Sequence, residues 1–160
     1  MRCIQYPASG TGTDADSDSD SGDERSTPPM ATIDGFDHPL AGRYASPEML
    51  HLFSPGHRYT TWRRMWLALA EAQFELGLAI PTEALEQMRA HLEVTADDLV
   101  RVAEVERETR HDVMAHLHVY AEHAPAAKPI LHLGATSCFI GDNAEQCITR
   151  DAMALVETRL

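Results

Sequence analysis

Arg110, His111 and Asp112 stand side by side, and a second polar group, Thr136 and Ser137, follows Gly134, in sequence that is otherwise apolar at helical spacing. A guanidinium offers a fork of donors that suits a carboxylate or a phosphate. An imidazole adds a donor, or a proton, near neutral pH. Hydroxyls and backbone N–H groups at the start of a helix bind the same kind of anion. Together these residue types anticipate an anionic substrate, with Asp112 orienting a neighbour. Ordinary helix chemistry accounts for the same residues: Asp112 in a first turn complements the helix dipole, and Thr136 or Ser137 as an N-cap is worth ~1 kcal/mol. Spacing alone does not choose between the two readings.

Two further groups of residues bear on binding. Arg43 and Tyr44 place a cation beside an aromatic ring, a pair able to hold a phosphate and stack near a base. His111, His116, His118, His123 and His132 are numerous, but they lack the i, i+4 pair with an intervening Glu of a zinc helix. No metal site is expected from them, and structural histidines are the default.

Helices must position these groups. Over residues 59–76, Trp62, Met65, Trp66, Leu69 and Leu76 recur at helical spacing, and Gly77 is placed to end that helix. Pro81 opens a second, with a stripe of Leu85, Met88 and Leu92. Thr95 to Asp98 matches a capping box ahead of Leu99, Val102 and Val105. The pattern breaks at residues 109–112, resumes through Val113, Leu117 and Tyr120, and stops at Pro125. Residues 129–133 read as a short extended apolar run. A last helical pattern with Ile148, Met153 and Leu155 runs to the chain end without a cap. No strand alternation or repeat is visible, and the fold class is all-α.

The chain has 160 residues and a formal net charge of −12. Residues 1–34 hold seven acids and two arginines, and the Ser, Asp, Gly and Pro composition of residues 8–29 predicts a disordered acidic tail. Met30 is a candidate internal start. An acidic chain with few lysines argues against a nonspecific nucleic-acid or membrane surface. Cys3, Cys138 and Cys147 are odd in number, without disulfide or metal spacing, and no apolar signal segment precedes them. A reducing, cytoplasmic location is the expectation.

Four stretches carry a resemblance. The Arg-His-Asp-Val-Met-Ala-His run at 110–116, the run from His132 to Asn143, and the segments 40–49 and 61–72 resemble the corresponding parts of adenylosuccinate lyases, within the fumarase/aspartase superfamily. The resemblance covers nearly everything beyond the first thirty-odd residues. Beyond the disordered tail that composition predicts over 1–34, it implies an N-terminal helical lyase domain over 35–136 and the start of a central long-helix bundle over 137–160. It implies a homotetramer with active sites shared between subunits, a purine nucleotide substrate, and elimination of fumarate without a cofactor.

The same resemblance makes Arg43, Tyr44, Arg110, His111, Asp112, Thr136 and Ser137 substrate-binding residues. It makes none of these 160 residues the catalytic acid or base, because in the family a histidine and a loop serine of later segments fill those roles. The chain alone is then expected to be inactive. The alternative is a short, non-catalytic lyase-like helical module that binds purine nucleotide or lyase subunits.

Overall fold

A computed structural model describes residues 38–160; the acidic tail expected over 1–34 lies outside them. The chain divides into two units, one ending at Ala45 and one running from Ser46 to Leu160. In the first, Leu40–Tyr44 forms a single wide turn closed by the Ala45 N–H on the Leu40 carbonyl at 2.7 Å. Its side chains are exposed, Tyr44 at 76%.

The regular elements of the second unit are helices: α1 (Pro47–Leu52), α2 (Pro55–Glu75), α3 (Thr82–Ala90), α4 (Ala96–Thr109), α5 (Asp112–His123) and α6 (Ser137–Glu157), with a tight turn at Pro125–Ala127. Among the described residues there is no strand, and no helix is long and apolar enough to cross a membrane.

Local chemistry explains most of the boundaries. Ser46 and Ser54 each accept an N–H from the third residue on, and each is followed by proline, whose fixed φ suits a first helical turn. α2 therefore begins at Pro55, ahead of the position 59 expected from its apolar stripe. α1 escaped the sequence pattern because six residues hold too little periodicity to register. Gly77, at φ 89°, ends α2 in the left-handed conformation that L side chains resist. At α4 both halves of a capping box are present: Thr95 Oγ1 accepts from the Asp98 N–H, and Asp98 accepts from the Thr95 N–H.

The extended run expected over 129–133 is a series of turns. Ile130 and Leu131 N–H groups bind the Ala127 carbonyl at 2.9 Å, and Leu133 binds Ile130 at 3.2 Å. Local hydrogen bonds satisfy a backbone that has no neighbouring strand to pair with, and Pro125 and Pro129 interrupt regular structure on either side. α6 stops at Glu157, where the Thr158 N–H and hydroxyl bind the Ala154 and Leu155 carbonyls.

α2 runs through the middle, packed by α1, α3 and α6, while α4 lies along α5. Trp62, Trp66 and Leu67 of α2, Met88 of α3, Tyr120 of α5 and Ile140 of α6 share the main core. Val102 and Val105 with Ala115 and Val119 form a smaller one between α4 and α5. Each large side chain fully removed from water contributes about 1.5–3 kcal/mol.

Arg63 ties the helices together from inside. It is 3% exposed, pairs with Asp98 at 3.2 Å, and donates to the carbonyls of His91 and Glu93 at 3.0 Å each. Its guanidinium lies 4.9 Å from the centre of the Tyr120 ring. Asp98 also accepts from His123 Nε2 at 2.6 Å. One buried ion pair thus joins α2, the 91–95 connector, α4 and α5.

Candidate functional site

α4 ends at Thr109 and α5 begins at Asp112, so the chain turns from one helix to the next in two residues. Arg110 makes the turn in the left-handed region, at φ 52° and ψ 35°, with its N–H on the Glu106 carbonyl at 2.7 Å. For a residue with a Cβ this conformation costs roughly 1–2 kcal/mol. His111 follows in extended backbone, and its ring rather than a cap bond occupies the start of α5. The Arg110 side chain is exposed, and among the described residues no carboxylate is paired with its guanidinium.

The second polar segment is anchored from α2. Gln73 Nε2 donates to the Leu133 carbonyl at 2.8 Å, and Trp66 Nε1 donates to His132 Nδ1 at 3.0 Å. His132 at φ 63° and Gly134 at φ 70° then bend the chain into Thr136, the N-cap of α6. Gly134 is required there by its backbone angle, since a Cβ would meet Gln73 only at an ordinary 3.8 Å.

The two segments meet through His111. Its Nε2 lies 3.2 Å from Ser137 Oγ and its Nδ1 lies 3.2 Å from Asp112 Oδ1. With Asp112 accepting the Nδ1 proton, a neutral His111 takes the Ser137 hydroxyl proton as an acceptor, whereas an imidazolium donates to both. The order carboxylate, imidazole, hydroxyl is also that of a hydrolase triad. In a triad, however, the carboxylate is buried and the base is held away from water. Here the side chains of His111 and Asp112 are 43% and 59% exposed, so water competes for both, and the arrangement suits orienting and binding. An unpaired guanidinium, an imidazole and the N-terminus of α6 make a corner able to take a carboxylate or phosphate.

Arg110, His111, Asp112, Thr136 and Ser137 are therefore brought to one corner, while Arg43 and Tyr44 belong to the other unit, on the 40–44 turn. Thr136 and Ser137 separate in role. Thr136 Oγ1 accepts the Phe139 N–H at 3.3 Å and caps the helix, which leaves Ser137 to face His111. Thr136→Ala is expected to destabilise the fold by about 1 kcal/mol, and Ser137→Ala by less than about 0.5 kcal/mol. Thermal melts of the two variants check this; equal losses would make both hydroxyls structural.

The sequence alone makes His132 a structural histidine by default and Trp66 a core residue of the α2 stripe, and it gives no sign of Gln73 at the site. Burial first, and then the nearby His111, hold the His132 pKa below the usual histidine value. The signal available in the sequence was the position of His132, two residues before the glycine of the same polar run.

No family model matches the chain. Similarity to known proteins is nevertheless extensive. Over 132 residues, 82% of this chain, it is 49% identical to an adenylosuccinate lyase of Saccharomyces cerevisiae and 49% identical to one of Schizosaccharomyces pombe. It is 36% identical over 124 residues to an adenylosuccinate lyase of the archaeon Methanocaldococcus jannaschii. The chain spans about a quarter of the length of these relatives, 27% in each of the three. It is homologous to adenylosuccinate lyases over most of its own length and corresponds to only a part of them.

Proposed function

We propose that this homologue of adenylosuccinate lyases forms the substrate-binding N-terminal portion of such an enzyme. The assembled enzyme eliminates fumarate from adenylosuccinate to give AMP, and from succinyl-aminoimidazole-carboxamide ribotide in purine biosynthesis. In this reading residues 35–136 make the N-terminal lyase domain and 137–160 open the central helical bundle of a cytoplasmic homotetramer. The observation that supports it most directly is the His111–Ser137 contact beside the unpaired Arg110, in a chain 49% identical to a yeast adenylosuccinate lyase.

Elimination requires a base to remove a proton beside a carboxylate, departure of the nitrogen with the C–N bonding pair, and an acid to protonate that nitrogen. Negative charge grows on the carboxylate as the proton leaves. A fixed cation aimed at it lowers the barrier, because the charge is met without reorganisation. Arg110 fills that role, with Ser137 and the first N–H groups of α6 as further donors. Thr136 keeps the helix end in place, and Asp112 orients His111 as a binding residue. Arg43 and Tyr44 take the nucleotide phosphate and base. The proton-transfer acid and base are assigned to groups outside these 160 residues, so the chain by itself is inactive.

The test is turnover by the natural assembly, captured with an antibody to residues 1–34 and sized by intact mass. Equal amounts of AMP and fumarate from added adenylosuccinate are expected. An intact assembly that releases neither product overturns the reading. One that binds AMP without turnover supports the non-catalytic module instead.

A further inference from the structure

We infer that Trp66 is a positioning residue: its indole N–H holds His132 in a single ring form, with Nδ1 as acceptor and the proton on Nε2, so that His132 stands at the corner as a neutral hydrogen-bond donor. This rests on the reading of the corner as a substrate site. An indole nitrogen is a donor only. With Trp66 Nε1 at 3.0 Å, His132 Nδ1 must offer its lone pair, which leaves the ring proton on Nε2. Protonating Nδ1 would set two N–H groups against each other.

The surroundings make this contact hard to lose. Trp66 is 1% exposed and is wedged between Trp62, at 6.3 Å between ring centres, and Tyr120, at 6.1 Å. His132 holds a left-handed backbone angle that persists only where neighbours enforce it. Trp66 grips its ring, and Gln73 grips the carbonyl of the following residue. Burial opposes protonation of His132, and so does the nearby His111, since charge on either imidazole repels charge on the other. The two imidazoles then differ in their partners: His111 lies between Asp112 and Ser137, while His132, held by Trp66, donates without carrying charge. The cation that meets a bound carboxylate is left to Arg110.

Nitrogen-15 spectra of the histidine rings in the full chain test the assignment. In the parent protein at neutral pH, His132 is expected to show an unprotonated Nδ1 and a protonated Nε2. Trp66→Phe keeps a ring in the core and removes the donor. Both ring forms should then appear, and the midpoint of the His132 titration should rise by about 0.5–1 pH unit, the worth of one hydrogen bond. In the active assembly the acid limb of the rate profile should move up by a similar amount. A role in packing alone would change the melting temperature and neither of these.

A parent spectrum with Nδ1 protonated, or a Trp66→Phe variant with unchanged ring form and titration, overturns the assignment. Should the variant fail to fold, the parent spectrum still decides. The spectra need no substrate, so an assembly without lyase activity would sink the functional reading and leave the ring form as measured.

Discussion

Arg110→Ala is expected to lower kcat/KM of the assembled enzyme about 10²–10³-fold, the range seen when one fixed donor to a developing anion is removed, while leaving its melting temperature unchanged. The guanidinium is exposed, and no partner among the described residues is stranded by its loss. Both arginine and alanine bear the left-handed backbone angle at this corner, so the strain is common to the two proteins. Arg110→Gly separates binding from folding further. Glycine adopts φ 52° freely, so this variant should gain up to about 1 kcal/mol of stability while losing as much activity as alanine does. Arg110→Lys retains the charge without the fork and should fall between. If both the alanine and glycine variants keep full activity, Arg110 is a helix terminus and nothing more.

The largest loss of stability is expected at Asp98. Breaking a buried ion pair from one side leaves the other charge unpaired, which destabilises by about 3–5 kcal/mol, and Arg63 would be left in that state by Asp98→Ala. The same change removes half of the α4 capping box and the acceptor for His123. Glu122→Ala, at the half-exposed Arg101 pair, should cost less than about 1 kcal/mol. Urea unfolding of the two variants gives the comparison, and equal losses would mean that the Arg63 pair carries no special weight.

The dependence on pH has two windows. Burial works against ionised Asp98, but the Thr95 N–H, His123 and Arg63 together outweigh it and hold the carboxyl below its usual value of 3.8. A group with a lowered acid pKa stabilises the fold above its unfolded value, and that stability is lost as pH falls through the folded one. His116 acts earlier. Burial first, and then the charge of Arg63, push its pKa down to about 4. Its ring lies 3.7 Å from the centre of Tyr59 and 5.2 Å from that of Trp62. Between the ordinary histidine value of 6.5 and about 4, the unfolded chain binds a proton that the folded one refuses. Stability should fall across that span by on the order of 3 kcal/mol. His116→Gln is expected to flatten the first window and Asp98→Asn the second. An acid limb unchanged in both variants would assign it to other groups.

What the sequence determined by itself was carried by short-range chemistry. Apolar spacing marked α2 to α6, Thr95 with Asp98 marked the start of α4, and Gly77 marked the end of α2, because each signal is complete within a turn or two of chain. The two polar segments, and the resemblance they carry, were legible for the same reason. Tertiary structure alone decided which residues share a corner. His111 and Ser137 meet through the packing of separate helices, and nothing local to Trp66 shows that its indole faces His132. Arg63, one of two adjacent arginines in the string, became an interior residue because the α2 core face turned it toward Asp98 and two carbonyls. A guanidinium is stable there only once all those partners are assembled, and a linear pattern does not encode an environment built from four separate parts of the chain.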